Sequence, residues 1–129
     1  MRGRIVYDGV AEGPALVSTE AIGFYGGVDP DTGRIVEAGH PLEGSSVAGK
    51  VLVFPQGKGS TVGSYTLYRL RKNGVAPSAM INEECETVVA VGAIISEIPC
   101  VDQISLERIR SGDLVRVRGS EVMVERREG

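Results

Sequence analysis

The chain predicts a single α/β domain over residues 1–129, and three stretches carry the prediction. Val51-Leu52-Val53-Phe54 is a continuous apolar run of the kind that makes a strand buried on both faces. A helical pattern follows it through Leu67 and Leu70. Near the end, Leu114 to Glu125 alternates apolar and charged residues around Gly119-Ser120, as a two-residue β-hairpin with Gly at the first central position of a type II′ turn does. Length agrees, since 129 residues is close to the usual size of one domain and enough for a real core. With 18 glycines, no tryptophan and few other aromatics, that core must be Val, Ile, Leu and Ala between many turns.

Charge and apolar content exclude several classes. A formal net charge of -3 gives no basic excess for a phosphate backbone, so nucleic-acid binding is not expected. No stretch approaches the ~20 apolar residues of a membrane helix, and Met1-Arg2-Gly3-Arg4 is followed by too short an apolar run for a signal peptide. A cytoplasmic protein is the expectation. Cys85 and Cys100 have fourteen residues between them, which fits neither a CxxC motif nor a closed zinc site, and they read as free thiols in the interior.

In chain order, Arg4-Ile5-Val6-Tyr7 and Ala15-Leu16-Val17 are short strands around the turn formers Asp8-Gly9 and Gly13-Pro14, expected to pair or lie close. Gly26-Gly27 marks either a bulge, a close backbone approach or an ordinary loop, and a short strand is expected at Arg34-Ile35-Val36. His40, the single histidine, lies in a turn-rich loop before Pro41, where a structural role competes with substrate orientation or acid–base work. After the buried strand and Pro55, a helix capped by Ser60 or Thr61 is expected to stop at Asn73-Gly74, behind Arg69, Arg71 and Lys72. Ala79-Met80-Ile81 is the next strand. Asn82-Glu83-Glu84-Cys85-Glu86 suits the start of a second helix through Thr87 to Val91, though its carboxylates could also be read as ligands or an acid pair. Ile94-Ile95 and Ile98 to Val101 are expected to add core and another strand. In the hairpin, Arg116 and Arg118 face Glu121 and Glu125 as possible cross-strand pairs.

The chemistry is expected in Gln56-Gly57-Lys58-Gly59-Ser60-Thr61-Val62-Gly63-Ser64, where a strand, a glycine-spaced loop and a helix N-terminus meet. Unpaired N–H groups in a first helical turn hold anions or polar reacting groups. Ser60 is the candidate catalytic residue, with Lys58, Gly59, Thr61 and Ser64 as candidate substrate-binding residues. Gly57 and Gly59 let the backbone approach an anion, and Lys58 is the local cation. Ser60, Gly63, Ser64, Leu67 and Leu70 form one stripe at helical spacing. A P-loop is excluded, because the first glycine of GxxxxGK[ST] is missing and Lys58 does not directly precede the hydroxyl residue.

Several separate blocks then resemble, in order, the small subunit of the aconitase X family: Asp29-Pro30-Asp31-Thr32-Gly33, His40-Pro41-Leu42-Glu43-Gly44, Val51 to Pro55 with Gly57-Lys58-Gly59-Ser60 and Gly63-Ser64, and Ala76-Pro77. The resemblance implies a swivelling β/β/α domain, like the C-terminal domain of aconitase, docked on a large subunit. It implies a hydro-lyase active only as that heterodimer, with a 4Fe-4S cluster held by three cysteines of the large subunit and a serine base on this chain, falling on Ser60. The implied reaction dehydrates (R)-5-phosphomevalonate to trans-anhydromevalonate 5-phosphate, on a route to isoprenoids. Thr61 stands where aconitases proper have an arginine, so arginines of the large subunit are the alternative anchor to Lys58. A related dehydratase of cis-3-hydroxy-L-proline, a non-catalytic assembly subunit and a phosphohistidine carrier are the competing readings. The last needs a histidine at a helix head, which His40 is not.

Overall fold

The computed structural model describes residues 1–126, so the last three residues of the expected domain lie outside the described ones. Its strands are β1 (Arg4–Tyr7), β2 (Val10–Val17), β3 (Val51–Phe54), β4 (Ala79–Asn82), β5 (Cys100–Asp102), β6 (Leu114–Arg118) and β7 (Glu121–Glu125). They form one sheet in the order β1-β5-β4-β3-β2-β6-β7. β2 to β5 run parallel, while β1, β6 and β7 pair antiparallel with their neighbours. The sheet curls until its ends meet. Met1 and Val122 exchange two backbone bonds of 2.8 Å, and Gly3 donates to the Ser120 carbonyl at 2.8 Å.

Every residue of β3 is buried because both faces are covered. Val51 and Val53 point into the curl with Ala15, Ala79, Ile81, Val101, Val115 and Val117. Leu52 and Phe54 point outward into a second core with Leu67, Leu70, Met80, Val89 and Ala93, under the helices α2 (Gly63–Lys72) and α3 (Thr87–Ser96). Two β layers around one core and a helical layer over another make the expected β/β/α arrangement. Between β2 and β3, the loop from Ile22 to Val47 covers the end of the second core.

The structure departs from the sequence reading in four places and decides a fifth. β1 and β2 do not pair with each other, because β1 docks on β5 and both edges of β2 are taken by β3 and β6. Arg34 and Ile35 make only isolated bridges, to Ser46 and Val28, instead of a strand. Of the alternatives open at Gly26, the structure takes the loop: α1 (Phe24–Gly27) carries the dihedrals of a type II turn, with Tyr25 at -73°, 116° and Gly26 at 79°, -15°. The hairpin forms with Gly119 at φ 59°, but its charges look elsewhere, Arg116 to Glu12 on β2 at 2.7 Å and Glu121 to Arg2 at 3.0 Å. Register explains this for Arg116, which stands opposite Met123, whereas Glu121 pairs with Arg2 although Arg118 stands opposite it. Finally, Ile94 and Ile95 lie outside the core, on the solvent face of α3.

Candidate active site

The candidate loop leaves the C-terminal end of β3 and is fixed from both sides. Ile22 accepts from the Lys58 N–H at 3.1 Å and donates to the Gln56 carbonyl at 3.2 Å, so a short parallel bridge holds one flank. On the other flank, the N–H groups of Glu83 and Glu84 donate to the Pro55 carbonyl at 3.2 and 3.3 Å. Gly57 is buried against α3. A Cβ there would stand 2.5 Å from Glu86 Oε1 and 2.6 Å from Val89 Cγ2, which is why the position has no side chain. Gly59 turns the chain outward at φ 87°, a conformation glycine adopts without strain.

Ser60 is exposed at the crest. Its Oγ accepts from the Val62 N–H at 3.1 Å and its carbonyl accepts from the Gly63 N–H at 2.9 Å. α2 itself begins at Gly63, with Val62 at the cap position and no side-chain cap bond. Ser60 therefore caps the single turn that leads into the helix rather than the helix proper, a correction to the expected N-cap. The hydroxyl is nonetheless held by a backbone donor, which favours a negative oxygen over a neutral one. The stop of α2 falls where expected, at Asn73 and Gly74, the latter at φ 73°.

Lys58 and Thr61 are exposed beside Ser60, and the Lys58 ammonium rests on Glu37 Oε2 at 3.0 Å. Sequence reading missed Glu37; only the fold of the 22–47 loop brings it to Lys58. Ser64 goes elsewhere. Its hydroxyl donates to the Val88 carbonyl at 2.6 Å in the seam between α2 and α3, and only 5% of the residue is exposed. In this chain it ties the helices together instead of facing the loop. The seam is tight there, since a Cβ on Gly63 would meet Val88 Cγ1 at 3.2 Å.

His40 is buried and spends both ring nitrogens on backbone. Nδ1 accepts from the Leu42 N–H at 3.0 Å and Nε2 donates to the Ala21 carbonyl at 3.1 Å, which fixes the tautomer and braces the loop that carries Glu37. Glu86 is the cap of α3, its two carboxylate oxygens accepting from Val88 and Val89 N–H at 3.0 and 2.8 Å. That settles one acidic residue of the 82–86 stretch as a helix start. Among the described residues, no three of His, Cys, Asp and Glu converge as a metal-binding set. Cys85 and Cys100 are two free thiols beneath the start of α3, one short of the three-thiolate set that an iron–sulfur cluster takes in the resembled family. The residues of this chain do not fit that cluster.

Comparison with known proteins agrees with this geometry. The aconitase X swivel domain family matches residues 1–126. The phosphomevalonate dehydratase small subunit of Methanosarcina acetivorans is 56% identical, covering 97% of this chain and 89% of its own length. That of Methanocella arvoryzae is also 56% identical, with 97% of each chain covered. Among solved structures, the holo form of aconitase X from Thermococcus kodakaraensis superposes with a TM-score of 0.95 at 50% identity, over 97% of each chain. A curled seven-stranded sheet, two covering helices and a serine on the loop between β3 and α2 thus come together in a chain that belongs to the aconitase X swivel domain family.

Proposed function

We propose that this chain is the small subunit of a phosphomevalonate dehydratase, a hydro-lyase active with a larger subunit, and that Ser60 is its catalytic base. The observation that carries the reading is the exposed Ser60 Oγ, fixed by the Val62 N–H on a braced loop that also carries Lys58, whose ammonium rests on Glu37, in a chain whose relatives carry that name. The substrate is a phosphorylated hydroxy acid. Losing its hydroxyl as water requires removal of a proton from the carbon next to the carboxylate, the task this reading gives to Ser60 Oγ.

Serine is a weak base, and magnitudes say how much help it needs. A helix N-terminus favours an anion by ~0.3–1 kcal/mol, up to ~2 in good geometry, whereas one pKa unit is ~1.4 kcal/mol. The local amides therefore move the hydroxyl by little more than one unit. The remainder must come from a closed, cation-rich site made with the larger subunit, where excluded water strengthens each charge. Lys58 supplies one cation and holds a carboxylate or phosphate of the substrate, Gly59 and Thr61 line the approach, and arginines of the larger subunit complete the anchor. An iron–sulfur cluster of the assembled enzyme belongs to the larger subunit.

The test is Ser60→Ala in the anaerobically prepared two-subunit enzyme, assayed with (R)-5-phosphomevalonate and cis-3-hydroxy-L-proline. A loss of ~10²–10⁴-fold in kcat, the usual worth of a general base, is expected, with co-elution of the subunits unchanged. Full activity in the variant would refute the assigned role. Turnover of the hydroxyproline alone would refute the substrate.

A further inference from the structure

One carboxylate at the candidate site has a single partner, and that partner is the cation of the site loop itself. Lys58 Nζ donates to Glu37 Oε2 at 3.0 Å, and among the described residues neither side chain makes another hydrogen bond. Other carboxylates of the chain are caged. Asp102 accepts from Arg4 Nε at 2.9 Å, Arg4 Nη2 at 2.6 Å and the Cys85 N–H at 2.9 Å, and Glu86 accepts from two amides of α3. Glu37 has no such cage and is in contact with solvent, so its one bond is open to exchange.

The main chain beneath the pair is fixed. The Val36 N–H donates to the Gly27 carbonyl at 2.9 Å and the His40 N–H to the Glu37 carbonyl at 3.2 Å. The His40 ring ties the same turn to Ala21, next to Ile22, which bridges Gln56 and Lys58. Space for the two side chains is left by glycines. A Cβ on Gly23 would stand 3.3 Å from the Lys58 carbonyl oxygen and 3.4 Å from Lys58 Cγ, and one on Gly27 would stand 3.5 Å from Glu37 Oε1. Gly23 has ordinary extended dihedrals, φ -99° and ψ 111°, so its missing side chain answers to the room Lys58 takes and not to backbone strain. Exchange of the Lys58 partner therefore needs only side-chain rotation. Until it happens, an anion arriving at the ammonium meets a carboxylate of its own sign.

We propose that Glu37 is an intramolecular competitor for the anion site at Lys58, occupying the ammonium in the free enzyme and giving way to the carboxylate or phosphate of the substrate. The inference rests on the reading of Lys58 as a substrate anchor and adds what sets the affinity of that anchor. An apparent dissociation constant is the intrinsic one divided by the fraction of the site that is free. For a partly exposed ion pair the penalty is ~2–6-fold. It is the same for every anion. Weakly held inorganic anions are thus kept off Lys58, whereas a substrate with further anchors on the larger subunit still binds.

Glu37→Gln tests this, because it keeps the length and an acceptor oxygen but removes the charge. In the two-subunit enzyme it is expected to lower KM for (R)-5-phosphomevalonate by ~2–6-fold with little change in kcat, the mark of altered binding without altered chemistry. In a Lys58→Ala background the same substitution is expected to leave KM unchanged, since the two residues act as one pair. Binding is read separately from turnover by labelling lysine with carbon-13 in the full chain and following the Lys58 Cε signal by NMR during titration with inorganic phosphate. Half-saturation is expected at ~2–6-fold lower phosphate in Glu37→Gln. The phosphate titration does not depend on Ser60 or on the substrate, so a failure of the dehydratase reading alone would leave its result standing. A KM unchanged or raised in Glu37→Gln, a fall in KM that persists without Lys58, or a phosphate response that the substitution does not alter would each overturn the competition.

Discussion

Lys58 shows how a single residue can be legible in type and hidden in partner. Glycine spacing next to a hydroxyl marks it as an anion-binding candidate, but the Glu37 carboxylate that holds it arrives from a loop twenty-one residues away. The pair is partly exposed, at 45% and 33% of the two side chains, and such pairs are worth only ~0.2–1 kcal/mol. Glu37 is therefore a light restraint that a substrate anion can displace. Lys58→Ala is expected to raise KM for the substrate by ~10-fold or more, the loss of a charge-assisted hydrogen bond of ~1.5–3 kcal/mol, while kcat changes less. Steady-state kinetics on the two-subunit enzyme decides it, and an unchanged KM would move the anchor to the larger subunit. Ser64 is the opposite case. Its place on a stripe with Ser60 was visible in the sequence, yet the Val88 carbonyl that claims its hydroxyl comes from another helix.

At the level of elements, the site depends on how closely α3 approaches the loop after β3. Glu86 does two things there, capping α3 through Val88 and Val89 and lying against Gly57. Gly57→Ala puts a methyl into that contact without demanding an unusual backbone, since Gly57 is not among the positive-φ glycines. Either the Glu86 cap opens or the loop lifts. We expect a loss of ~1–2 kcal/mol in urea unfolding, the scale of a lost cap, and a larger proportional fall in kcat because Ser60 rides on the same loop. Normal turnover with the cap lost would separate the two effects and show the loop to be indifferent to Glu86. The element boundaries themselves were mostly readable, because Pro55, Glu86 and Asn73-Gly74 are local signals. The start of α2 was not: a hydroxyl cap and a capped turn before the helix look the same in sequence.

On the scale of the whole molecule, α3 is apolar on every side. Val88, Val89, Gly92, Ala93 and Ser96 face the core, while Val91, Ile94 and Ile95 are 42%, 52% and 39% exposed. A helix of this kind is normally covered. Tyr65 on α2 and Tyr25 beside the helix entrance are exposed as well, and Arg69, Arg71 and Lys72 stand at the far end of α2. An apolar centre and a charged rim are the anatomy of a subunit interface. The paired variant Val91→Lys and Ile94→Lys is expected to weaken association with the larger subunit by ~10-fold or more, measured by titration of the purified subunits, while Met123→Lys on the exposed face of β7 leaves it intact. Equal affinities for all three proteins would place the interface elsewhere. Among the described residues no helix is long and apolar enough to cross a membrane, so the apolar face of α3 is not a spanning segment.

The residues by themselves determined the α/β class, the buried β3, the hairpin and the loop that presents Ser60 and Lys58, while the β/β/α layering was implied by the family resemblance. Those features rest on local causes: apolar runs, turn residues, caps and glycine spacing within a few residues of each other. Only the tertiary structure decided that β1 closes on β5, that Glu37 reaches Lys58 and that Ser64 belongs to the helix seam. Each of those is a contact between residues far apart in the chain, and side chains cannot announce partners that only the curl of the sheet brings within reach.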